Sequence, residues 1–310
     1  MVIQIENLVK RYSDLVAIDH LNLEIKEGEI FGLLGPNGSG KTTTINCILS
    51  LLQYDKGTIK IFGKDMTPHS YDIKKDIGIV MQNVAVFDEL TVYENIDYFC
   101  SLYIKDRAER KKCVEEAIRF VGLEDFRKFV PKKLSGGLLR RLNIACGVAH
   151  KPKLIILDEP TVAVDPQSRN NILEGIKNLN KNGATIIYTS HYMEEVEQLC
   201  TRIAIIDKGR VIAQGTTDEL KSMISQGEKV VVEVYYLEDE DLEKIRELPN
   251  VESAEFENNI LTVRGKKEKT NLSDLLSFIN YKKISYGKIY SELPTLNDVF
   301  LEITGKELRD

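Results

Sequence analysis

A chain of 310 residues exceeds one average domain and predicts one large domain with a smaller one beside it. Its composition, 43% hydrophobic and 29% charged, is that of an ordinary globular protein with enough chain to bury a core without staples. The net charge of -6 excludes the basic field that nucleic acid or an anionic lipid surface would require, and five scattered cysteines without a CxxC pair exclude a zinc ribbon or a disulfide framework.

The first residues, Met1-Val2-Ile3-Gln4-Ile5-Glu6, carry no basic flank and apolar run of the signal-peptide kind, so no targeting segment is expected there. Apolar runs reach only about five residues, far short of the ~20 that a spanning helix needs, so no direct membrane span is expected. Cys47, Cys100, Cys113, Cys146 and Cys200 are expected to be reduced thiols of a cytosolic protein.

In chain order, residues 1–80 are rich in strand patterns. Leu21-Asn22-Leu23-Glu24-Ile25 alternates apolar and polar as a half-buried strand does. Residues 30–34 form a continuous apolar run, the mark of a strand buried on both faces. A glycine-rich loop and a helix over 42–52 follow, then a strand over 77–81. From about 90 to 149 the pattern is helical. Strands return at 154–157 and 185–189, separated by a helix over 167–180. Residues 203–206 and 210–213 flank Asp207-Lys208-Gly209 as a hairpin. Strands alternating with helices predict a mainly parallel α/β sheet with helices on both faces. Composition shifts at Ser225-Gln226-Gly227. Beyond it the order is strand 229–236, helix 238–248, strands 252–256 and 260–264 around Asn258-Asn259, helix 272–280 and strand 284–290. That βαββαβ order predicts a small ferredoxin-like α+β domain. A last helix starts at Thr295 and stops at Gly305. The expected division is 1-222 and 228-310, with a helical part over about 88-150.

Gly35-Pro36-Asn37-Gly38-Ser39-Gly40-Lys41-Thr42 matches the whole G-x-x-x-x-G-K-[ST] pattern between a buried strand and a helix. Glycines let backbone N–H groups close around phosphate oxygens, and the helix start adds its positive end. Lys41 can neutralise the outer phosphates, and the Thr42 hydroxyl can ligate Mg2+. Roughly one chain in a hundred of this length would carry the pattern by accident, and the strand–loop–helix context makes that rarer. The chain therefore reads as binding ATP with Mg2+. The apolar strand 154–157 runs into Asp158-Glu159. Asp158 suits the metal, and Glu159 would orient or activate the attacking water. Surface charge at a strand end is the alternative, and the phosphate loop in the same chain outweighs it. Leu134-Ser135-Gly136-Gly137 opens a helix with Ser135 as its cap, another anion site; alone it would read as a plain capped helix.

Together these residues resemble the ATP-binding subunit of the ABC transporter family, in order and spacing over residues 1 to about 220. The phosphate loop matches Walker A, Asp158-Glu159 matches Walker B and its catalytic glutamate, and Leu134-Ser135-Gly136-Gly137 matches the family signature. Gln82 falls at the Q-loop glutamine, Asp165 at the D-loop aspartate, His191 at the switch histidine and Tyr12 at the aromatic that stacks on adenine. The resemblance implies a P-loop NTPase fold with the ABC-type helical subdomain. It implies catalysis by Glu159, His191 and Gln82, a metal held by Thr42, Gln82 and Asp158, and nucleotide contacts that include Thr43. It further implies an ATP-dependent homodimer in which Ser135 and Gly137 act on the partner's nucleotide, and an integral membrane permease subunit that receives the motion. The Gln82–Leu90 loop would meet that subunit, placing the chain at the inner face of the plasma membrane. Two departures stand out: Leu138-Leu139 follows Gly137 where Gln is usual, and Ala163-Val164 precedes Asp165 where Ser or Gly and Leu are commoner.

The segment Leu293-Pro294-Thr295-Leu296-Asn297-Asp298-Val299-Phe300-Leu301-Glu302-Ile303-Thr304-Gly305 resembles the tail of ABC-2-type exporter ATPases of the daunorubicin-resistance and sodium-export groups. Export is the implied direction. The small domain reads as regulatory, as dimer-supporting, or as packing mass alone. An importer subunit would share every catalytic residue. A soluble non-transport ABC ATPase fits less well, because translation-type members carry two cassettes and repair-type members insert a long coiled coil between the positions of Lys41 and Ser135.

Overall fold

A computed structural model describes residues 1–224, 226–266 and 271–305. Ser225, at the predicted boundary, lies outside the described residues, as do 267–270 and 306–310 of the predicted small domain. The chain forms two compact units that divide between Thr217 and Asp218.

The first unit begins with β1 (Ile3–Tyr12), β2 (Leu15–Ile25) and β3 (Ile30–Leu34), then α1 (Lys41–Ile48). Next come β4 (Lys56–Ile61), β5 (Lys64–Asp65), α2 (Tyr71–Lys74) and β6 (Ile77–Val80). The helical stretch is α3 (Val92–Ser101), α4 (Arg107–Phe120) and α5 (Gly136–Val148). The order then runs β7 (Leu154–Asp158), α6 (Pro166–Lys181), β8 (Thr185–Ser190), α7 (Met193–Leu199), β9 (Arg202–Asp207) and β10 (Arg210–Gly215). The predicted helix over 42–52 is shorter: it starts at Lys41 and ends at Ile48, and Ser50 adopts a left-handed φ of 51° that breaks it.

Six strands form one sheet in the order β10-β9-β3-β8-β7-β6, and the neighbours from β9 to β6 run parallel. β3, β7 and β8 are buried at every residue, as strands covered on both faces must be. The first eighty residues contribute a second sheet that strand patterns alone did not separate: β2-β1-β4-β5, antiparallel throughout. Its inward residues, among them Ile3, Ile5, Ile18 and Ile59, share one apolar core with Phe31, Ile45 and Ile156. The edge of this sheet, at Ala17, thereby lies against the glycine-rich loop.

The second unit opens with α8 (Thr217–Ser222), of which only Thr217 belongs to the first. The second unit continues with β11 (Gln226–Val234), α9 (Asp239–Arg246), β12 (Val251–Glu257), β13 (Ile260–Lys266), α10 (Leu272–Lys282), β14 (Tyr286–Glu292) and α11 (Leu296–Thr304). The strand predicted over 229–236 starts earlier and ends at Val234, leaving Tyr235 and Tyr236 exposed beyond it. The sheet order is β12-β13-β11-β14, all antiparallel, the split βαββαβ arrangement expected from the element order. Asn258 and Asn259 both take positive φ in the β12–β13 turn, which matches strand twist. Alternate residues Val230, Val232 and Val234 pack on Leu261, Val263, Leu275 and Ile279. Thr295 and Asp298 form a reciprocal capping box on α11, and Gly305 ends it with φ 66°.

Candidate functional site

β3 delivers the chain at Leu34 into a loop over 35–40 that turns directly into α1. Gly40 sits at φ 107°, and a Cβ there would lie 2.7 Å from the Ala17 carbonyl oxygen, so no other residue fits. The turn between β9 and β10 braces the loop from the other side: Gly209 N–H donates to Ser39 O at 2.9 Å, and Asp19 N–H donates to Gly209 O at 2.9 Å. The Lys41 ammonium donates to Gly35 O at 2.7 Å and to Pro36 O at 3.2 Å, and lies 3.5 Å from Glu159 Oε1. Burial lowers its pKa, and the charge of Glu159 opposes that shift. Ser39 Oγ is buried and makes no hydrogen bond within the protein. A loop with an inward ammonium and an orphaned hydroxyl fits phosphate oxygens.

Asp158 ends β7 fully buried, accepting from Thr42 Oγ1 at 3.0 Å and from Thr189 Oγ1 at 2.6 Å. Glu159 leaves the strand at φ 48°, a left-handed conformation that costs a non-glycine residue roughly 1–2 kcal/mol. Its N–H donates to Thr189 Oγ1 at 2.9 Å, which fixes the turn. The carboxylate then meets Lys41 at 3.5 Å, Gln82 Nε2 at 3.2 Å and His191 Nδ1 at 3.3 Å. Three residues predicted from separate motifs thus converge on the carboxylate of a fourth.

Behind His191 lies a group that sequence patterns did not single out. Glu195 is buried on α7 and accepts from Tyr188 Oη at 2.6 Å, Thr161 Oγ1 at 2.7 Å and Ser190 Oγ at 3.3 Å. Arg169 Nε of α6 lies 3.2 Å from Glu195 Oε1, and its guanidinium sits over Tyr192, whose ring is 4.2 Å from that of His191. Burial, then the Glu195 charge, push the Tyr188 phenol well above its ordinary range.

Ser135 caps α5, its Oγ accepting the Leu138 N–H at 3.3 Å. That contact uses Leu138 main chain only, so the departure from Gln leaves the cap intact. Asp165 caps α6 in the same way through the Ser168 N–H at 2.9 Å. The two helix starts press together: a Cβ on Gly137 would lie 2.5 Å from Ser168 Oγ. Ala163 adopts φ 58°, so this departure places a methyl-bearing residue where glycine is easier.

A cavity of about 530 Å3 gathers Tyr12, Asn37, Gly38, Gly40, Lys41, Thr42, Thr43, Gln82 and Glu159, with Leu15, Val16, Ala17 and Lys208 completing its wall. Those last four were not foreseen, because they belong to β2 and to a hairpin distant in sequence. Ser135 and Gly137 do not line it. A larger hollow of about 630 Å3, lined by Cys113, Phe120 and Leu179 among others, includes no residue of the phosphate loop, and Glu116 and Lys151 on its wall are tied to each other at 2.6 Å; the phosphate loop and Glu159 meet at the smaller one. Among the described residues no group of three or more His, Cys, Asp and Glu could cage a metal. Thr42 Oγ1 beside the Asp158 carboxylate offers two hard oxygens, the donor set of a cation that keeps water and phosphate ligands, as Mg2+ does. No helix among the described residues is long and apolar enough to cross a membrane.

Residues 18–162 match the ABC transporter family model, and residues 215–304 match the model of the ATP-binding protein DrrA1-3-like, C-terminal domain. The chain is 40% identical to a linearmycin resistance ATP-binding protein of Bacillus subtilis, covering 100% of both chains. It is 36% identical to a Nod factor export ATP-binding protein of Cupriavidus metallidurans, over 100% of this chain and 99% of that one. A daunorubicin/doxorubicin resistance ATP-binding protein of Streptomyces peucetius is 41% identical over 72% of this chain and 67% of its own length. Among solved structures, a dimeric post-hydrolysis ATP-binding cassette bound to ADP and Pi superposes with a TM-score of 0.63 at 29% identity, covering 69% of this chain and 98% of that one.

Proposed function

The chain belongs to the ATP-binding proteins of ABC transporters, and on that premise we propose that it powers an exporter whose membrane-spanning part is a separate permease subunit. The chain is an ATPase; subunits of this family dimerise and work with membrane partners. Export is supported by full-length similarity to proteins named for resistance or export and by the second unit's family match. The importer reading has no such support. The division of labour we propose is a catalytic domain over 1-222, with its helical part at about 88-150, and an accessory domain over 228-310. The chain would lie at the inner face of the plasma membrane, held there by the permease.

The observation that carries the catalytic assignment is the meeting of Lys41, Gln82 and His191 on the Glu159 carboxylate. With nucleotide bound, Lys41 exchanges its loop carbonyls for phosphate oxygens and so frees Glu159 to face water. Glu159 orients that water and takes its proton, while His191 and Gln82 hold the carboxylate in place. Thr42, Asp158 and Gln82 would hold Mg2+, which supplies charge against the outer phosphate oxygens. Tyr12, 46% exposed at the mouth of the cavity, offers its ring face to the adenine base. Ser135 and Gly137, which stand outside this cavity, serve the nucleotide of a second copy.

The test is Glu159→Gln under saturating Mg-ATP. Turnover should fall about 10²–10³-fold, and light scattering should find a dimer, since closure survives without hydrolysis. A monomer under those conditions would remove the sandwich from the proposal. Recovery of a membrane protein in near-equal amount from detergent extracts would support the permease partner; recovery with soluble partners alone would count against it.

A further inference from the structure

Arg140 lies on α5, just over one turn beyond the Ser135 cap, and is 4% exposed. Every one of its hydrogen bonds goes to a main-chain carbonyl. Nε donates to Pro160 O at 2.8 Å. Nη1 donates to Met81 O at 3.0 Å and to Gln82 O at 2.8 Å. Nη2 donates to Asp158 O at 3.3 Å and to Glu159 O at 2.9 Å. These carbonyls belong to the two segments that leave β6 and β7, and those segments bring Gln82 and Glu159 within 3.2 Å of each other. Glu159 has left the strand in a left-handed conformation, so its carbonyl is outside the sheet ladder, where it accepts the Val162 N–H at 3.4 Å and the shorter bond from Arg140. A guanidinium is a planar fork of fixed donors, so it sets the relative position of both segments at once; an ammonium cannot.

We propose that Arg140 is a positioning residue that joins the signature helix to the chain's own catalytic loops, so that the placement of Glu159 and Gln82 follows the orientation of α5. The proposal rests on the ATPase reading above. The physical consequence is a link between two half-sites: Ser135 at the exposed end of α5 would engage one nucleotide, while Arg140 on the same helix adjusts the water-activating carboxylate beside the other. The apolar face of α5 is supplied by other residues, Leu142, Ala145 and Val148.

Arg140→Lys keeps the charge and most of the stem but loses the fork; Arg140→Gln loses both. In steady-state ATPase measurements both should lower kcat by about thirtyfold or more, with KM for ATP moving less than about threefold, because the contacts act on the reacting geometry and not on nucleotide binding. In a Gln82→Ala background the same replacements should cost less than about threefold, because residues acting as one unit are not additive. Raised KM with kcat kept, or the full penalty repeated in the Gln82→Ala background, would overturn the proposal. A lowered melting temperature with kcat kept would overturn it as well and leave Arg140 as a core residue only. Hydrogen exchange on the nucleotide-free chain gives a second arm that does not depend on turnover. Arg140→Gln should speed exchange in segments 81–90 and 158–164 together while β3 stays protected, and an unchanged rate in either segment would overturn the link. If the unaltered chain shows no Mg-ATP turnover at all, the ATPase reading falls and the exchange arm still decides the link.

Discussion

The two units handle buried charge differently. In the first, Lys41, Arg140, Asp158, Glu159 and Glu195 are buried together near the C-terminal ends of the parallel strands β3, β7 and β8. Each removes an ion from water at a cost of several kcal/mol, and partners offset that cost only in part. In the second unit the core between its sheet and its helices is apolar, chiefly valine, leucine and isoleucine. Its buried polar residues are few among the described ones, and Glu228 does plain structural duty by accepting the Asn271 N–H at 2.9 Å. The lesson is where the molecule tolerates expensive interiors. Open α/β sheets place their ligand site at the strand ends, and the charges concentrate there. The described strands of the second unit pair antiparallel throughout, without the parallel strand ends that make such a crevice, and the core behind them is apolar.

Substitutions in the two units should therefore fail in different ways. Lys41→Ala removes the ammonium that reaches both the phosphate loop and Glu159; kcat/KM for ATP should fall about 10³-fold in a steady-state assay. Retention of a tenth of the activity would dissolve the contrast. Leu275→Ala deletes a fully buried side chain of the second unit. Urea titration should register a loss of about 2–5 kcal/mol, with kcat/KM for ATP within twofold. A matching loss of activity would mean that the units do not fail separately.

A smaller effect belongs to His150, stacked on Tyr103 at 3.9 Å, with Nε2 3.3 Å from Ile77 O and Nδ1 buried without a partner. Burial pushes its pKa below 6.5, and the Ile77 carbonyl and Asp76 oppose that shift. The folded state thus disfavours the charged ring. Its contribution is whole above the unfolded pKa of 6.5 and is lost as pH falls below that value toward the folded pKa. The slope is at most about 1.4 kcal/mol per pH unit. Urea titrations at pH 7, 6 and 5 should show this decline, and His150→Gln should flatten it. A smaller change again comes from Thr295→Ala at the α11 cap, about 1 kcal/mol by the same titration at pH 7. The Glu240–Lys244 pair on α9 is exposed, and removing it should change nothing measurable.

Much of this was legible in the residues themselves. The phosphate loop is local: eight consecutive residues and their backbone amides define it, and the apolar run before it dictates a buried strand. The βαββαβ order, the hairpin at Asp207-Lys208-Gly209 and the Thr295 and Gly305 helix signals likewise depend on near neighbours. What the sequence could not decide is which distant segments share a wall. Antiparallel pairing of β1 with β2 and β4 created a second sheet and brought Leu15, Val16 and Ala17 to the nucleotide cavity. Lys208 arrived there from the turn between β9 and β10 of the other sheet. Arg140 and Glu195 read in sequence as ordinary charged helix positions, which are solvent-facing by default. Only packing buried them, because only the folded chain sets unpaired carbonyls and hydroxyls around each one.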